Sequence, residues 1–257
     1  MNALARQLLV LAPFALAGCQ LSQQAPVTPQ RPTVSFDTAT TAPGTFELET
    51  GVNVDPGDFF DTPNTLKYGT GERTELFVGW SPLQVLSQPG EDADGASDVV
   101  LGARHRLWDA DDGTPSGAVV LSGKLPTASS NNGLGSGEVD LRVGGILNQS
   151  FGDVSANLFY QYGALGQASG GTTSEHIATL TLGTPLAEDV GGFFELGGQF
   201  VPTTDTDALF AITGVTWSYS PSLVFDGGVN VGLSDDAADL QVFFGCTWNL
   251  GGPPMRR

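Results

Sequence analysis

The chain of 257 residues carries 28 Asp+Glu against 10 Lys+Arg, a formal charge of −18, and 35 glycines. Such acidity leaves no basic patch to offset phosphate repulsion and excludes a nucleic-acid partner, while the glycine content and the scarcity of helix formers argue against helices. Two cysteines far apart make no disulfide framework, and two cysteines with two histidines, unclustered, make no zinc site, so no metal or other cofactor is expected.

The first element is an export signal. Arg6 precedes an apolar run from Leu8 to Ala17, too short to span a bilayer as a mature helix. The run ends in Leu16-Ala17-Gly18-Cys19, a small-residue cleavage site with a cysteine directly after the cut, so residues 1–18 read as a signal peptide. The stretch resembles the bacterial lipobox, which implies a diacylglycerol on the Cys19 thiol; ordinary cleavage after an alanine is the alternative. Removing residues 1–18 takes away one cation and no acid, so −18 becomes −19. Residues 19–43, rich in Gln, Thr and Pro without apolar periodicity, are expected to form a flexible lipidated tether outside any core.

From Gly44 onward apolar residues recur with a period of two, as in strands with one apolar and one polar face. Phe46, Leu48, Val52 and Val54 alternate with Glu47, Glu49 and Asn53; Val139, Leu141, Val143 and Leu147 with Asp140 and Arg142; Phe225, Val229 and Val231 with Asp226, Gly228 and Asn230. The pattern predicts strands near 44–54, 63–69, 73–81, 98–108, 116–125, 137–148, 153–163, 174–184, 191–201, 207–219, 222–234 and 238–250. Most are long enough for a tilted strand to cross hydrocarbon.

Links such as 149–153 and 220–221 are short, whereas most alternate links, such as 82–97, 126–136 and 163–173, are long and polar. This predicts an all-β fold, an antiparallel transmembrane β-barrel of about twelve strands over 44–250, with short periplasmic turns, long outer loops and a tail at 251–257. Both chain ends then lie at the short-turn rim, where a lipid on Cys19 reaches the inner leaflet. Trp80, Tyr162 and Phe200 are expected at the outer girdle and Trp217, Tyr219 and Trp248 at the inner one. Trp108 breaks the parity of its strand, which suggests a bulge. A soluble β-sandwich lipoprotein is the competing architecture, but it gives no reason for the loop rhythm and leaves edges to protect.

In a barrel the polar face lines the lumen. Its ionisable members are Glu47, Glu49, Lys67, Glu75, Asp98, Arg104, Arg106, Lys124, Asp140, Arg142, Glu195 and Asp226. No basic residue occurs from Val143 to Met255, which suggests a lumen cationic on one wall and anionic on the other; ion pairs filling a narrow barrel are the alternative. Catalysis is not expected. His105 falls on the apolar parity, and neither it nor His176 has a serine two residues on, the spacing that barrel hydrolases use. Asp109-Ala110-Asp111-Asp112-Gly113 lacks the acid a calcium loop needs at its twelfth position, which is Val120. Glu91-Asp92-Asp94 and Asp235-Asp236 fit either a solvated rim or cations bridging lipopolysaccharide.

Leu66-Lys67-Tyr68-Gly69, Glu72-Arg73-Thr74-Glu75-Leu76, Gly95-Ala96-Ser97-Asp98-Val99-Val100-Leu101-Gly102, Leu125-Pro126-Thr127 and Phe225-Asp226-Gly227-Gly228 occur in that order. In this the chain resembles the meta-pathway phenol-degradation family of outer-membrane transporter-like barrels over nearly all of 44–250. The resemblance implies passage of small, often aromatic or hydrophobic compounds. The expected function is therefore an outer-membrane transporter or channel. The alternative is a structural or adhesive lipoprotein whose lumen is plugged by its own side chains. Expected partners are outer-membrane lipid, lipopolysaccharide, a small permeant and, from Gly245, Trp248 and Leu250, the barrel-assembly machinery.

Overall fold

A computed structural model describes residues 25–252, apart from 57, 58, 89, 90 and 112. The stretch expected to be a signal peptide, Cys19 and residues 253–257 lie outside the described residues. Fifteen strands follow in chain order: β1 (Phe46–Asp55), β2 (Phe59–Asp61), β3 (Asn64–Gly71), β4 (Thr74–Trp80), β5 (Gln84–Gln88), β6 (Glu91–Gly95), β7 (Val99–Trp108), β8 (Ser116–Leu125), β9 (Asp140–Phe151), β10 (Val154–Gly166), β11 (Thr172–Ala187), β12 (Val190–Val201), β13 (Thr206–Ser220), β14 (Leu223–Gly232) and β15 (Leu240–Gly251). Twelve of them, all but β2, β5 and β6, pair antiparallel with their neighbours, and β15 pairs back onto β1 with Thr50 opposite Cys246. The sheet is thus a closed twelve-stranded barrel, which rules out a sandwich. Closure leaves none of the twelve barrel strands as an edge, as hydrocarbon requires of anything that crosses it.

Period-two alternation becomes an inside and an outside. On β8 Val120 is 1 % exposed while Leu121 beside it is 60 % exposed. The outward set includes Leu101, Leu141, Leu158, Leu180, Leu196 and Phe244, an apolar belt suited to acyl chains. One rim carries the tight turns at 72–73, 152–153, 188–189 and 221–222, and the other the longer links, including 81–98 and 126–139. Strands β2, β5 and β6 extend β1 within the long links, where only loops were expected, each pairing through its ladder with the next. Trp217, Tyr219 and Phe225 pack together near the short-turn rim, with ring centroids 5.6 Å apart for Trp217 and Tyr219. The parity break at Trp108 is a register shift between Arg106 and Trp108. It turns the indole outward over Gly117, where a Cβ would lie 2.2 Å from the ring, and lets Nε1 donate to the Pro115 carbonyl at 2.8 Å.

One expectation is overturned. Residues 25–43, expected as part of a tether outside the core, run through the barrel interior. Val27 donates its N–H to the Pro221 carbonyl at 2.9 Å and Asn249 Nδ2 donates to the Ala25 carbonyl at 2.9 Å, so the segment enters at the short-turn mouth. It leaves at the same end, where Gly44 N–H donates to the Gly69 carbonyl at 2.7 Å. Lack of periodicity rules out a strand in the wall, but not an irregular chain whose backbone polar groups are satisfied by polar groups lining a cavity.

Candidate functional site: an occupied lumen

All twelve ionisable residues selected for the lumen sit on or above the inner face. Glu47, Glu49, Lys67, Glu75, Arg104, Asp140, Glu195 and Asp226 are buried, and Asp98, Arg106, Lys124 and Arg142 are partly buried. They do not form opposed walls of charge. Lys67 Nζ lies 2.9 Å from Glu47 and 2.8 Å from Glu49; Arg104 lies 2.9 Å from Glu75; Lys124 lies 3.3 Å from Asp98 and 3.1 Å from Asp140. The cause is register. Glu47 is directly opposite Lys67, Glu75 opposite Arg104 and Asp140 opposite Lys124, which puts each acid beside its base on the next strand. Arg106 pairs at 2.8 Å with Asp109, in the turn considered for calcium.

Glu175 is a lumen residue the sequence reading passed over. It and Arg142 flank Gly163 on β10, and Arg142 Nε reaches across that glycine to Glu175 at 2.7 Å. A Cβ on Gly163 would meet Glu175 Oε2 at 2.8 Å, so the glycine is what lets the pair close. Its parity, opposite His176, Leu180 and Leu182, was the available signal. The inner face is also less polar than its charges suggest. Phe77, Ala118, Val120, Ile146 and Phe159 form one buried apolar cluster in the interior, and Phe210, Ile212 and Phe243 another.

The internal segment is held chiefly through its backbone. Thr28 N–H donates to Glu47 at 3.2 Å, Gln30 N–H to Glu49 at 2.7 Å, Val34 N–H and Ser35 N–H to the two oxygens of Glu195 at 2.8 and 3.3 Å, and Thr41 N–H to Glu75 at 2.8 Å. Four wall carboxylates thus receive five backbone donors, each bond of a type that contributes about 1.5–3 kcal/mol. Side chains add to this. Arg31 pairs with Asp226 at 3.4 Å, and it fits because Gly51 and Gly245 have no Cβ to collide with its guanidinium. Arg104 binds the Asp37 carbonyl at 3.0 Å and the Gln30 side chain. Phe36 packs against Phe77 and Phe159 at 5.6 and 5.8 Å, beneath the Arg104 guanidinium at 5.7 Å.

Residues 30–36 separate two cavities. One of 520 Å³ faces the short-turn mouth along β9–β13, and one of 430 Å³ lies toward the outer loops between β1, β3, β4, β7 and β13–β15. On the outer rim, burial pushes the Asp61 carboxyl above its usual range, while hydrogen bonds from Ser81 and Asn53 draw it down.

Neither histidine faces the lumen. His105 Nδ1 is 2.8 Å from the Thr74 hydroxyl and His176 Nδ1 is 2.8 Å from the Tyr160 hydroxyl, all on the outward parity. Among the described residues no three His, Cys, Asp or Glu side chains cluster as metal ligands.

Residues 28–250 match the family described as "Putative MetA-pathway of phenol degradation". The fold is similar to the COG4313 outer membrane channel from Pseudomonas putida F1, with a TM-score of 0.65 at 12 % identity over 87 % of this chain and 100 % of that one. It is also similar to the NanC porin, TM-score 0.55 at 10 % identity over 80 % of this chain and 100 % of that one. For the KdgM porin the TM-score is 0.53 at 9 % identity over 79 % of this chain and 98 % of that one. No curated protein matches the chain in sequence.

Proposed function

Because the chain belongs to the family of the MetA-pathway of phenol degradation, we propose that it is an outer-membrane channel for small, aromatic or hydrophobic compounds whose lumen is closed from the periplasmic side by its own residues 25–43. The observation that carries this reading is the mode of closure. The segment is tied to the wall by backbone N–H groups on four glutamates and by the Arg31–Asp226 pair, with Phe36 packed on Phe77 and Phe159, so its release exchanges mostly polar bonds for water. A seal meant to be permanent would rest on packing.

The surroundings follow the same proposal. The apolar belt meets outer-membrane lipid, acidic outer loops face lipopolysaccharide, and β15 carries the spacing used by the barrel-assembly machinery. Cys19 lies six residues before Ala25, about 20 Å of extended chain, so a lipid there reaches the inner leaflet from the short-turn mouth. Acylation of Cys19 is testable by loss of lipid labelling in Cys19→Ala.

A second reading, a structural lipoprotein with a filled lumen, draws support from the interior cluster of Phe77, Val120, Ile146 and Phe159. Liposome swelling separates the two. The channel reading expects small phenolic and sugar solutes to enter faster through a form lacking residues 25–43 than through the full chain, with measurable entry through both. No entry through either form supports the structural reading.

A further inference from the structure

One lumen carboxylate takes its countercharge from the internal segment rather than from the wall. Lys67, Arg104, Lys124 and Arg142 each pair with acids of the wall itself. Among the described residues Asp226 has no such wall partner, and Arg31 alone pairs with it. Arg31 is also the one cation in residues 25–43.

The place that holds the Arg31 guanidinium is built from three adjoining strands. Asp226 on β14 stands opposite Gly245 on β15, which stands opposite Gly51 on β1. A Cβ at Gly245 would lie 2.6 Å from Arg31 Nε, and one at Gly51 closer still to Arg31 Nη2, so both positions must lack a side chain for the group to lie there. A bare backbone floor ending in a carboxylate suits a flat cation with two parallel N–H bonds better than a round ammonium. Arg31 uses this socket imperfectly. Its Nε and Nη2 atoms lie 3.4 Å from the two Asp226 oxygens, against about 2.7–2.9 Å for a well-formed charge-assisted bond. A free guanidinium is not limited by the reach of residue 31 and can close that gap.

Arg31 lines both cavities, so the socket sits where one meets the other. With Arg31 in place the Asp226 side chain is 3 % exposed and that of Arg31 13 %, so a ligand reaches the acid by taking the place of Arg31, not by joining it. The inner cavity favours such an approach, because Asp153, Glu188 and Asp189 line it and form no ion pair among the described residues. Uncompensated acids there draw cations from the short-turn side. A carboxylate left alone inside the barrel is costly, so Arg31 leaves more readily when another cation replaces it. We infer that Asp226, Gly245 and Gly51 form a binding site for a small organic cation bearing a guanidinium group, with Arg31 as its built-in competitor. Binding displaces Arg31 and loosens residues 25–43. The site stands without the channel reading; only the opening that follows from it rests on that reading.

The test is ligand-observed NMR titration of the full chain in a non-ionic detergent with methylguanidinium and methylammonium chlorides, subtracting protein-free micelles. Arg31→Ala should bind methylguanidinium about tenfold more tightly than methylammonium. The native chain should bind it saturably but about tenfold more weakly than Arg31→Ala does, as expected against a tethered competitor. Arg31→Ala combined with Asp226→Asn removes both charges, so neither is left buried alone, and should bind neither ion. Arg31→Gln, which keeps much of the side chain without its charge, carries the same expectations should Arg31→Ala not fold. Equal binding of the two ions by the Arg31 variants would overturn the inference. So would binding that survives Asp226→Asn, saturable binding by the variants with none by the native chain, or no binding by any form. The expected binding pattern without current in bilayers would leave the site standing and count against the channel reading alone.

Discussion

Neutralising Glu195 without changing its shape should open the barrel. The carboxylate is fully buried, accepting from Val34 N–H at 2.8 Å, Ser35 N–H at 3.3 Å and the Thr181 hydroxyl at 2.6 Å. In Glu195→Gln one oxygen remains, and the other position becomes an amide that cannot accept. One backbone bond drops from a charged to a neutral acceptor and the other is lost, together about 3 kcal/mol. The closed state of the variant also buries no charge, which returns part of that loss and leaves about 2 kcal/mol. The ratio of open to closed channels should then rise roughly 30-fold. Single-channel recording in planar bilayers reads this as a longer open fraction at unchanged unit conductance. An open fraction equal to that of the native chain, from protein that still runs as a folded barrel on unheated gels, would refute the reasoning.

Three other outcomes follow from the geometry. Gly163→Val drives a side chain into the Arg142–Glu175 pair, whose atoms would lie 2.8 Å from the new Cβ, and should destabilise the barrel by about 1–3 kcal/mol in urea titrations in vesicles. Leu121→Arg places a charge at the middle of β8 on the outward face and should cost about 2–4 kcal/mol in the same assay, with little change in lumen properties. Asp61, whose carboxyl is raised by burial, contributes stability that is full below the usual aspartate range and lost as pH rises through its raised value. Asp61→Asn should therefore raise the urea midpoint at neutral pH and leave it unchanged in acid.

The wall was legible in the amino-acid order because strand parity is local. Val120 and Leu121 declare opposite faces within two residues, and repetition of that pattern over twelve segments, with short and long links in alternation, specifies a barrel. What joins distant positions was not legible. Glu75 and Arg104 are adjacent only because of the register between β4 and β7, so cations that looked like one wall of a field turn out to be neutralised by acids on neighbouring strands. Arg142 and Glu175 required two ladders and the glycine between them. The internal segment was the largest omission. Its Thr-, Gln- and Pro-rich composition is that of a tether, and what holds it is backbone N–H, which every non-proline residue has and no sequence pattern marks.

The most direct measurement ties the segment down. Ser35 Oγ and Thr181 Oγ1 are 2.8 Å apart, so Ser35→Cys with Thr181→Cys places two thiols where a disulfide of about 2.05 Å can form with small adjustment. If residues 25–43 are a movable closure, bilayers containing the oxidised double variant should conduct almost nothing, and addition of a membrane-impermeant reductant on the short-turn side should restore the native current. Equal currents before and after reduction, with the disulfide verified by mass, would contradict it.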